Sequence, residues 1–170
     1  MRIRFLLACY VAISAPLLLG ASRADEKELL KELSREERVK LLRQKTWDIV
    51  AQPVEGELVI DGSLDEPAWS QAKPITDFYQ GESNEGLPAT EESEVRVLFD
   101  ETNLYIGFRA YDSEPNKADA RAMFRDEPPS ADDIINIMID AFNDHRSAIQ
   151  FVTNMNGVQL DMLQNGETRD

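Results

Sequence analysis

The stretch that decides the fold covers ten residues and reads Ile60-Asp61-Gly62-Ser63-Leu64-Asp65-Glu66-Pro67-Ala68-Trp69. Its Asp61-Gly62 step predicts a tight turn, because glycine lacks the Cβ that disfavours a positive φ. Pro67, which follows two acidic residues, predicts the first turn of a short helix. The apolar run of residues 58–60 reads as the end of a strand. Together these features predict the opening corner of a β-domain, with Trp69 buried in the core.

Beyond this corner, apolar and polar residues alternate with period two. Residues 94–99 and 104–111 form two such runs, and the four polar residues between them predict a hairpin. A second pair of runs, residues 134–139 and 147–152, is joined through Asn143-Asp144-His145. Two antiparallel pairs are therefore expected.

Residues 112–133 are polar and contain three prolines, so we expect a long connection with one helical turn near residues 118–123. The turn signal Asn156-Gly157 leads to a fifth strand over residues 158–163. Short antiparallel strands at this spacing predict an all-β fold, an antiparallel β-sandwich over residues 53–170.

Residues 1–24 have the composition of a secretory signal peptide. Two arginines precede an apolar run over residues 5–19, and small residues follow up to Ala24. The run is too short for a comfortable membrane span. We expect cleavage near Ala24 and an exported protein, located in the periplasm or cell envelope or secreted. An uncleaved anchor and a lipoprotein at Cys9 are the alternatives.

Cysteine content and charge restrict the chemistry further. Cys9 is the only cysteine of the 170 residues, so the chain after cleavage has neither a disulfide nor a thiolate metal site. The net charge is −14, from 18 basic and 32 acidic residues. Cleavage removes three arginines and no acid, which leaves 15 basic residues and a charge of −17. This charge argues against nucleic acid as a partner and favours calcium, which binds clustered carboxylates.

Residues 25–52 form a charged segment in which leucines lie among Glu, Lys and Arg. The series Ser34-Arg35-Glu36-Glu37 fits a capping box, which predicts two short helices instead of one. Because the apolar stripe is narrow, we interpret the segment as a linker, loosely docked or acting as a spacer; an interaction helix is the alternative.

An enzyme has little residue-level support. Glycoside hydrolysis needs two carboxyl groups at a set separation, and nothing in the sequence marks one pair among 32 acids. His145 is the only histidine and falls in a predicted turn, where we expect it to be exposed. With one histidine, zinc is disfavoured, and there is no Gly-rich phosphate loop.

The order of these motifs resembles carbohydrate-binding module family 9. It resembles especially the bacterial envelope branch, in which the module precedes a C-terminal barrel-like region. The resemblance covers roughly residues 53–165. Besides the Ile60–Trp69 corner, it rests on Pro88-Ala89-Thr90-Glu91, Glu94-Val95-Arg96-Val97-Leu98-Phe99-Asp100, Leu104-Tyr105-Ile106-Gly107, Arg125-Asp126, Asp132-Asp133, Asp140-Ala141-Phe142-Asn143-Asp144 and Asn154-Met155-Asn156-Gly157.

The resemblance implies a β-sandwich that binds carbohydrate on an aromatic platform with polar edges. That sandwich normally has further strands, so we expect it to be incomplete at its C-terminus and the chain to be a fragment. Sugar-binding members carry a clamp tryptophan just before the strand that begins near Asp132. This sequence has Pro128-Pro129-Ser130-Ala131 there. Tyr79 and Phe142 are therefore the candidate ligand-binding residues.

The resemblance also implies structural calcium, held by oxygen ligands from separate loops. The candidate metal ligands are Asp112, Asp132 and Asp133, and Asp61 and Asp65 lie in the opening corner. Each of these aspartates also fits a turn or helix-capping role.

Three functions follow. The first is an exported, non-catalytic carbohydrate-binding module linked to polysaccharide catabolism, because such modules are often attached to glycosidases. The second is an accessory periplasmic domain of an outer-membrane barrel protein that binds no sugar, which the missing clamp tryptophan favours. The third is a component of a glycoside hydrolase.

Overall fold

The computed structural model describes residues 23–42, 49–81, 84–129 and 131–165. These residues fall into two compact units, the first ending at Asp112 and the second beginning at Ser113. The predicted signal peptide lies outside the described residues, apart from its last two positions. No helix within the described ranges has the length and apolarity to cross a membrane.

The first unit contains three helices and a three-stranded sheet. The helices are α1 (Arg23–Glu32), α2 (Arg35–Leu42) and α3 (Pro67–Gln71). The strands are β1 (Gln52–Pro53), β2 (Ser93–Phe99) and β3 (Leu104–Ala110), in the order β1-β2-β3. β1 is parallel to β2, and β2 is antiparallel to β3, from the pair Ser93–Ala110 to the pair Phe99–Leu104. The predicted hairpin is thus confirmed.

The Ile60–Trp69 corner forms as the sequence predicts. Gly62 has φ +89°, and the Asp61 carboxylate accepts a hydrogen bond from Ser63 N at 2.8 Å. Pro67 is the first residue of α3. Trp69 is buried with Leu58, Ala72 and Leu98 in the core of this unit.

The strand expected at the apolar run 58–60 does not form. Val59 and Ile60 are 60% and 76% exposed, and Val59 N donates to the Glu66 carboxylate at 3.0 Å instead of to a neighbouring strand. A strand needs a ladder partner for its backbone. Here the Glu66 side chain takes the place of a neighbouring strand, so residues 58–60 are an irregular segment that precedes the turn.

The linker segment folds as two helices, as predicted. Ser34 Oγ and the Glu37 carboxylate form the capping box: Ser34 N and Oγ donate to Glu37 Oε2 at 2.9 and 2.8 Å, and Glu37 N donates to Ser34 Oγ at 3.3 Å. The segment packs more closely than its narrow apolar stripe predicts, because Leu30 is only 2% exposed.

The second unit contains a 3-10 turn at Pro115–Lys117 and a sheet of three antiparallel strands. These are β4 (Ile134–Ile139), β5 (Ser147–Asn154) and β6 (Leu160–Asn165), paired in the order β4-β5-β6. The described residues are therefore mostly β, with one three-stranded sheet in each unit. This confirms the all-β class and is compatible with a sandwich.

In the second unit the helical turn and the start of the last strand differ from prediction, and β5 and β6 each end two residues later than predicted. The helical turn lies at Pro115–Lys117 and not at residues 118–123, because the backbone of the latter segment is bound by aspartates: Asp119 N donates to Asp133, and Arg121 N donates to Asp132. The last strand begins at Leu160, two residues later than predicted, since Val158 N donates to the Asn154 side chain within the turn.

Candidate functional site

A cleft of about 160 Å³ opens on the first unit. Its lining combines aromatic rings, carboxylates, small polar groups and a lysine: Phe78, Tyr79, Tyr111, Asp77, Glu91, Glu92, Glu94, Thr76, Ser93, Pro88, Ala89 and Lys27. The walls come from α1, from the segments on either side of residues 80–87, and from the ends of the β2–β3 hairpin. These lining residues come from separate parts of the sequence, and no motif in it predicts that they line one cleft.

Tyr79 lies in the wall of this cleft, where Pro88 is its bridge partner. Backbone hydrogen bonds from Gln80 N to Leu87 O (2.8 Å) and from Ala89 N to Phe78 O (2.9 Å) fix the two segments side by side. The Tyr79 hydroxyl donates to Glu26 Oε1 of α1 at 3.1 Å. The backbone hydrogen bonds therefore fix the main chain around Tyr79, and the bond to Glu26 fixes the hydroxyl end of its half-buried ring.

Two further aromatic residues support the cleft. The Phe78 ring meets Phe108 of β3 edge-on, with centroids 6.4 Å apart and an interplanar angle of 64°, a favourable arrangement of ring quadrupoles. Tyr111 is 47% exposed, and its hydroxyl lies 3.4 Å from Glu94 Oε1. The cleft thus presents apolar ring surface next to polar groups.

Glu94 is a largely enclosed carboxylate of the lining, with a side chain 13% exposed. Its oxygens lie 3.2 Å from Arg96 Nη2 and 3.7 Å from Arg109 Nη1. Arg96 in turn donates to the carbonyls of Trp69 (2.9 Å) and Ala72 (2.7 Å), which satisfies the end of α3. One charge network therefore joins the cleft to the core of the unit.

Of the two predicted ligand-binding residues, only Tyr79 belongs to this cleft. Phe142 is 75% exposed in the connection between β4 and β5 of the second unit. Sequence reasoning missed Glu94, Tyr111 and Lys27. For Glu94 a signal exists: the register of the predicted hairpin places it opposite Arg109, which indicates a cross-strand ion pair. For Lys27 no signal exists, since it lies on a helix far away in sequence.

A second concave surface, about 420 Å³, lies on the sheet of the second unit. Ile135, Ile137, Phe151 and Leu160 contribute to its apolar lining, and Arg125, Gln159 and Asp161 to its polar part. The Arg125 guanidinium pairs with the Asp161 carboxylate and donates to Gln159 Oε1 at 2.9 Å. Its charged groups are thus already engaged with one another.

Two of the predicted metal ligands, Asp132 and Asp133, accept backbone hydrogen bonds in the second unit. Asp132 Oδ1 accepts from Arg121 N, and Oδ2 accepts from Ala122 N and Asn154 Nδ2, at 3.0, 3.0 and 2.7 Å. The Arg121 N–H bond, followed by the Asn154 bond, lowers the pKa of the Asp132 carboxyl. Its neighbour Asp133 accepts from Asp119 N at 2.9 Å.

Asp112 is exposed after β3, at the end of the first unit, and Asp61 and Asp65 are exposed in the corner. Among the residues that the structure describes, no three His, Cys, Asp or Glu side chains converge on a point that could hold a metal. Calcium therefore stays a prediction without an assigned ligand set.

His145 occupies the turn expected of it. Its side chain is 65% exposed, and Nδ1 is 3.8 Å from Asp140 Oδ2. With φ +58° it adopts the left-handed conformation of the turn, and its N–H donates to the Asp140 carboxylate at 2.9 Å. This is a turn position, as predicted.

Comparison with known families identifies the domain. A family model described as "Carbohydrate family 9 binding domain-like" matches residues 60–167, which begins at the Ile60–Trp69 corner. No curated protein and no solved structure matches the chain.

Proposed function

Because the chain belongs to the carbohydrate family 9 binding domain-like family, we propose that it is a non-catalytic carbohydrate-binding module whose ligand occupies the cleft of Tyr79. One observation carries this proposal: a concave site on the first unit places aromatic rings beside carboxylates. A pyranose ring needs this pairing, because its faces are apolar and its edge carries hydroxyls.

Tyr79 and Tyr111 supply rigid ring surface at low cost in conformational entropy. Asp77, Glu91 and Glu92 supply ionised acceptors, and hydrogen bonds from hydroxyls to such acceptors are stronger than those between neutral groups. The cleft is smaller than the roughly 300–1,000 Å³ typical of pockets that enclose drug-sized ligands. We therefore propose that it holds one sugar unit instead of an extended stretch of polysaccharide.

Export and a link to polysaccharide catabolism are parts of the same proposal. The basic start, apolar run and small residues of positions 1–24 support export to the periplasm or cell envelope. In that setting a non-catalytic module would keep an attached or associated enzyme close to its polysaccharide. The accessory-domain alternative shares the location and differs only in the absence of a sugar ligand.

The decisive experiment is binding of the purified chain to a glycan array, followed by calorimetry on the hits. Tyr79→Ala is expected to weaken binding about tenfold or more, as aromatic contact residues do when truncated. Tyr79→Phe keeps the ring and loses only the bond to Glu26, so it should stay within about threefold of the parent protein.

Phe142→Ala is the second arm, since it removes an aromatic residue that lies outside the cleft. Retained binding in Phe142→Ala with loss in Tyr79→Ala supports the cleft. The reverse result would place the sugar at the β4–β5 connection. A chain with a folded circular-dichroism spectrum and no glycan ligand would favour the accessory-domain function.

A further inference from the structure

Helices α1 and α2 lie outside the residues that match the family, yet α1 contributes to the wall of the cleft. The match begins at residue 60, whereas α1 and α2 occupy Arg23–Glu32 and Arg35–Leu42. Lys27 lines the cleft, and the preceding residue, Glu26, accepts the hydrogen bond of the Tyr79 hydroxyl. The site is thus composed of the family domain and of a segment added in front of it.

Contacts of α2 hold this wall in place. Arg38 Nε donates to Glu85 O at 3.1 Å, and Arg35 pairs with the Glu85 carboxylate. At Gly86, whose φ is +85°, an added Cβ would lie 2.7 Å from Arg38 Cβ. Backbone and helix can approach this closely only because residue 86 has no side chain.

α1 also carries a buried apolar side chain. Leu30 is 2% exposed, one of the two most deeply buried large side chains among the described residues. The contacts of Glu26, Arg35 and Arg38 with residues 79–85 hold the helices against the unit.

Lys27 differs in charge from the other ionisable groups that line the cleft. Those with acidic side chains are Asp77, Glu91, Glu92 and Glu94. Ionised carboxylates only accept hydrogen bonds, whereas an ammonium group offers three donors. The ring and glycosidic oxygens of a sugar only accept, so carboxylates cannot bind them and an ammonium group can.

We propose that α1 is part of the ligand site and that Lys27 is a ligand-binding residue, which donates to the ring or glycosidic oxygens of a neutral sugar. The inference rests on the proposed sugar-binding function of the cleft. Acidic sugars are disfavoured in the same site, because four carboxylates and a single ammonium group line the cleft and like charges repel. Lys27 thus gives the cleft a donor without making it attractive to uronic acids.

The first test compares Lys27→Met with Lys31→Met by calorimetry. The probes are neutral tetrasaccharides of glucose, mannose and xylose, and a galacturonic acid tetrasaccharide. Lys27→Met keeps the aliphatic stem and loses the charge, and we expect about tenfold or greater loss of affinity for the neutral probe that binds best. Lys31 pairs with Glu28 on the same helix and does not line the cleft, so Lys31→Met should change affinity less than twofold. Lys27→Arg should restore most of the binding.

The second test disturbs the wall without touching the cleft. Gly86→Ala forces the added Cβ against Arg38, whereas Gly56→Ala introduces the same unfavourable positive φ with nothing within 4 Å. We expect Gly86→Ala to speed amide exchange in α1 and α2 and to weaken neutral-sugar binding at least fivefold. Gly56→Ala should do neither.

The outcomes separate this inference from the proposed function. Loss of binding in Tyr79→Ala with no change in Lys27→Met overturns the role of Lys27 and leaves the sugar site standing. If Gly86→Ala speeds amide exchange in α1 and α2 but leaves the affinity for neutral sugars unchanged, α1 is not part of the ligand site. A folded parent protein that binds none of the four probes overturns both the proposed sugar site and the roles of Lys27 and α1. Tighter binding of the galacturonic acid probe than of every neutral probe overturns the claim that the cleft disfavours acidic sugars.

Discussion

Single aspartates shape the turns of both units. Asp100 accepts from Thr102 N and Asn103 N at 2.7 and 2.6 Å, and from the Tyr105 hydroxyl at 2.6 Å. Asp144 does the same for the turn before β5, accepting from the backbone N–H groups of Arg146 and Ser147, both at 2.8 Å. Each carboxylate replaces the water that would otherwise satisfy these donors, which is why each turn needs an acid at that position.

These bonds make stability depend on acid pH. The Tyr105 hydroxyl, with Asn103 and Thr102, lowers the pKa of Asp100, and backbone donors of Ser147 and Arg146 lower that of Asp144. A carboxyl whose pKa is lower in the folded state binds fewer protons there than in the unfolded chain. Its stabilisation is therefore present above the unfolded pKa of about 4 and is lost as the pH falls below it.

We expect the urea midpoint of unfolding to be nearly constant from pH 7 to 5 and to fall steadily below about pH 4. Asp100→Asn should lower the midpoint at pH 7 and flatten its decline in acid, because one of the linked carboxyls is gone. Circular dichroism at each pH measures both effects. Parallel acid profiles for the two proteins would show that Asp100 is not one of the responsible groups.

At the scale of elements, α3 and β3 meet through a glycine. An added Cβ on Gly107 would lie 2.8 Å from Trp69 Cζ3 and 2.9 Å from Leu64 Cδ2. Two residues of the opening corner therefore rest directly on the β3 backbone. This contact explains why the corner and the hairpin form one core although 38 positions separate Trp69 from Gly107.

Gly107→Ala is predicted to destabilise the protein by about 1–3 kcal/mol, the usual cost of overpacking a core. Gly81→Ala is the matched control, because its added Cβ meets nothing within 4 Å and its backbone has no positive φ. Urea unfolding followed by circular dichroism gives both values. Equal stability of the two variants would mean that the corner moves away from β3 at no cost.

At the scale of the whole molecule, acidity is the dominant property, with a net charge of −14. Self-repulsion of this size destabilises a compact state, and a bound divalent cation would offset it. Calcium is therefore retained as a proposal from the family resemblance. No three acidic side chains converge within the described residues, so we attribute no ligand set to it.

After removal of divalent ions by a chelator, millimolar calcium is expected to raise the melting temperature, since a ligand that binds only the folded state stabilises it. Magnesium at equal concentration is the control for general charge screening and should have a smaller effect. Differential scanning fluorimetry measures both. A melting temperature that does not respond to calcium, or responds equally to magnesium, would contradict a specific site.

Features that depend on neighbouring residues could be predicted from the sequence. The turn at Gly62, the start of α3 at Pro67, the capping box of Ser34 and Glu37, and the hairpin of β2 and β3 all follow from φ preferences, capping and period-two patterning. These act over a few residues. The errors fall where a distant group took over a backbone donor: Glu66 at Val59, and Asp132 and Asp133 at residues 119–122.

The cleft could not be predicted from the sequence, because it depends on how distant segments pack. Tyr79 was predictable as a candidate, but its neighbours Lys27, Glu94 and Tyr111 come from three other parts of the chain. The segment that periodicity describes as a linker supplies part of the wall through α1, and α2 packs beside it through Arg38 and the space left by Gly86. The physical reason is that turns and strands are set by local torsions and periodicity, whereas a binding site is set by which surfaces the packing brings together.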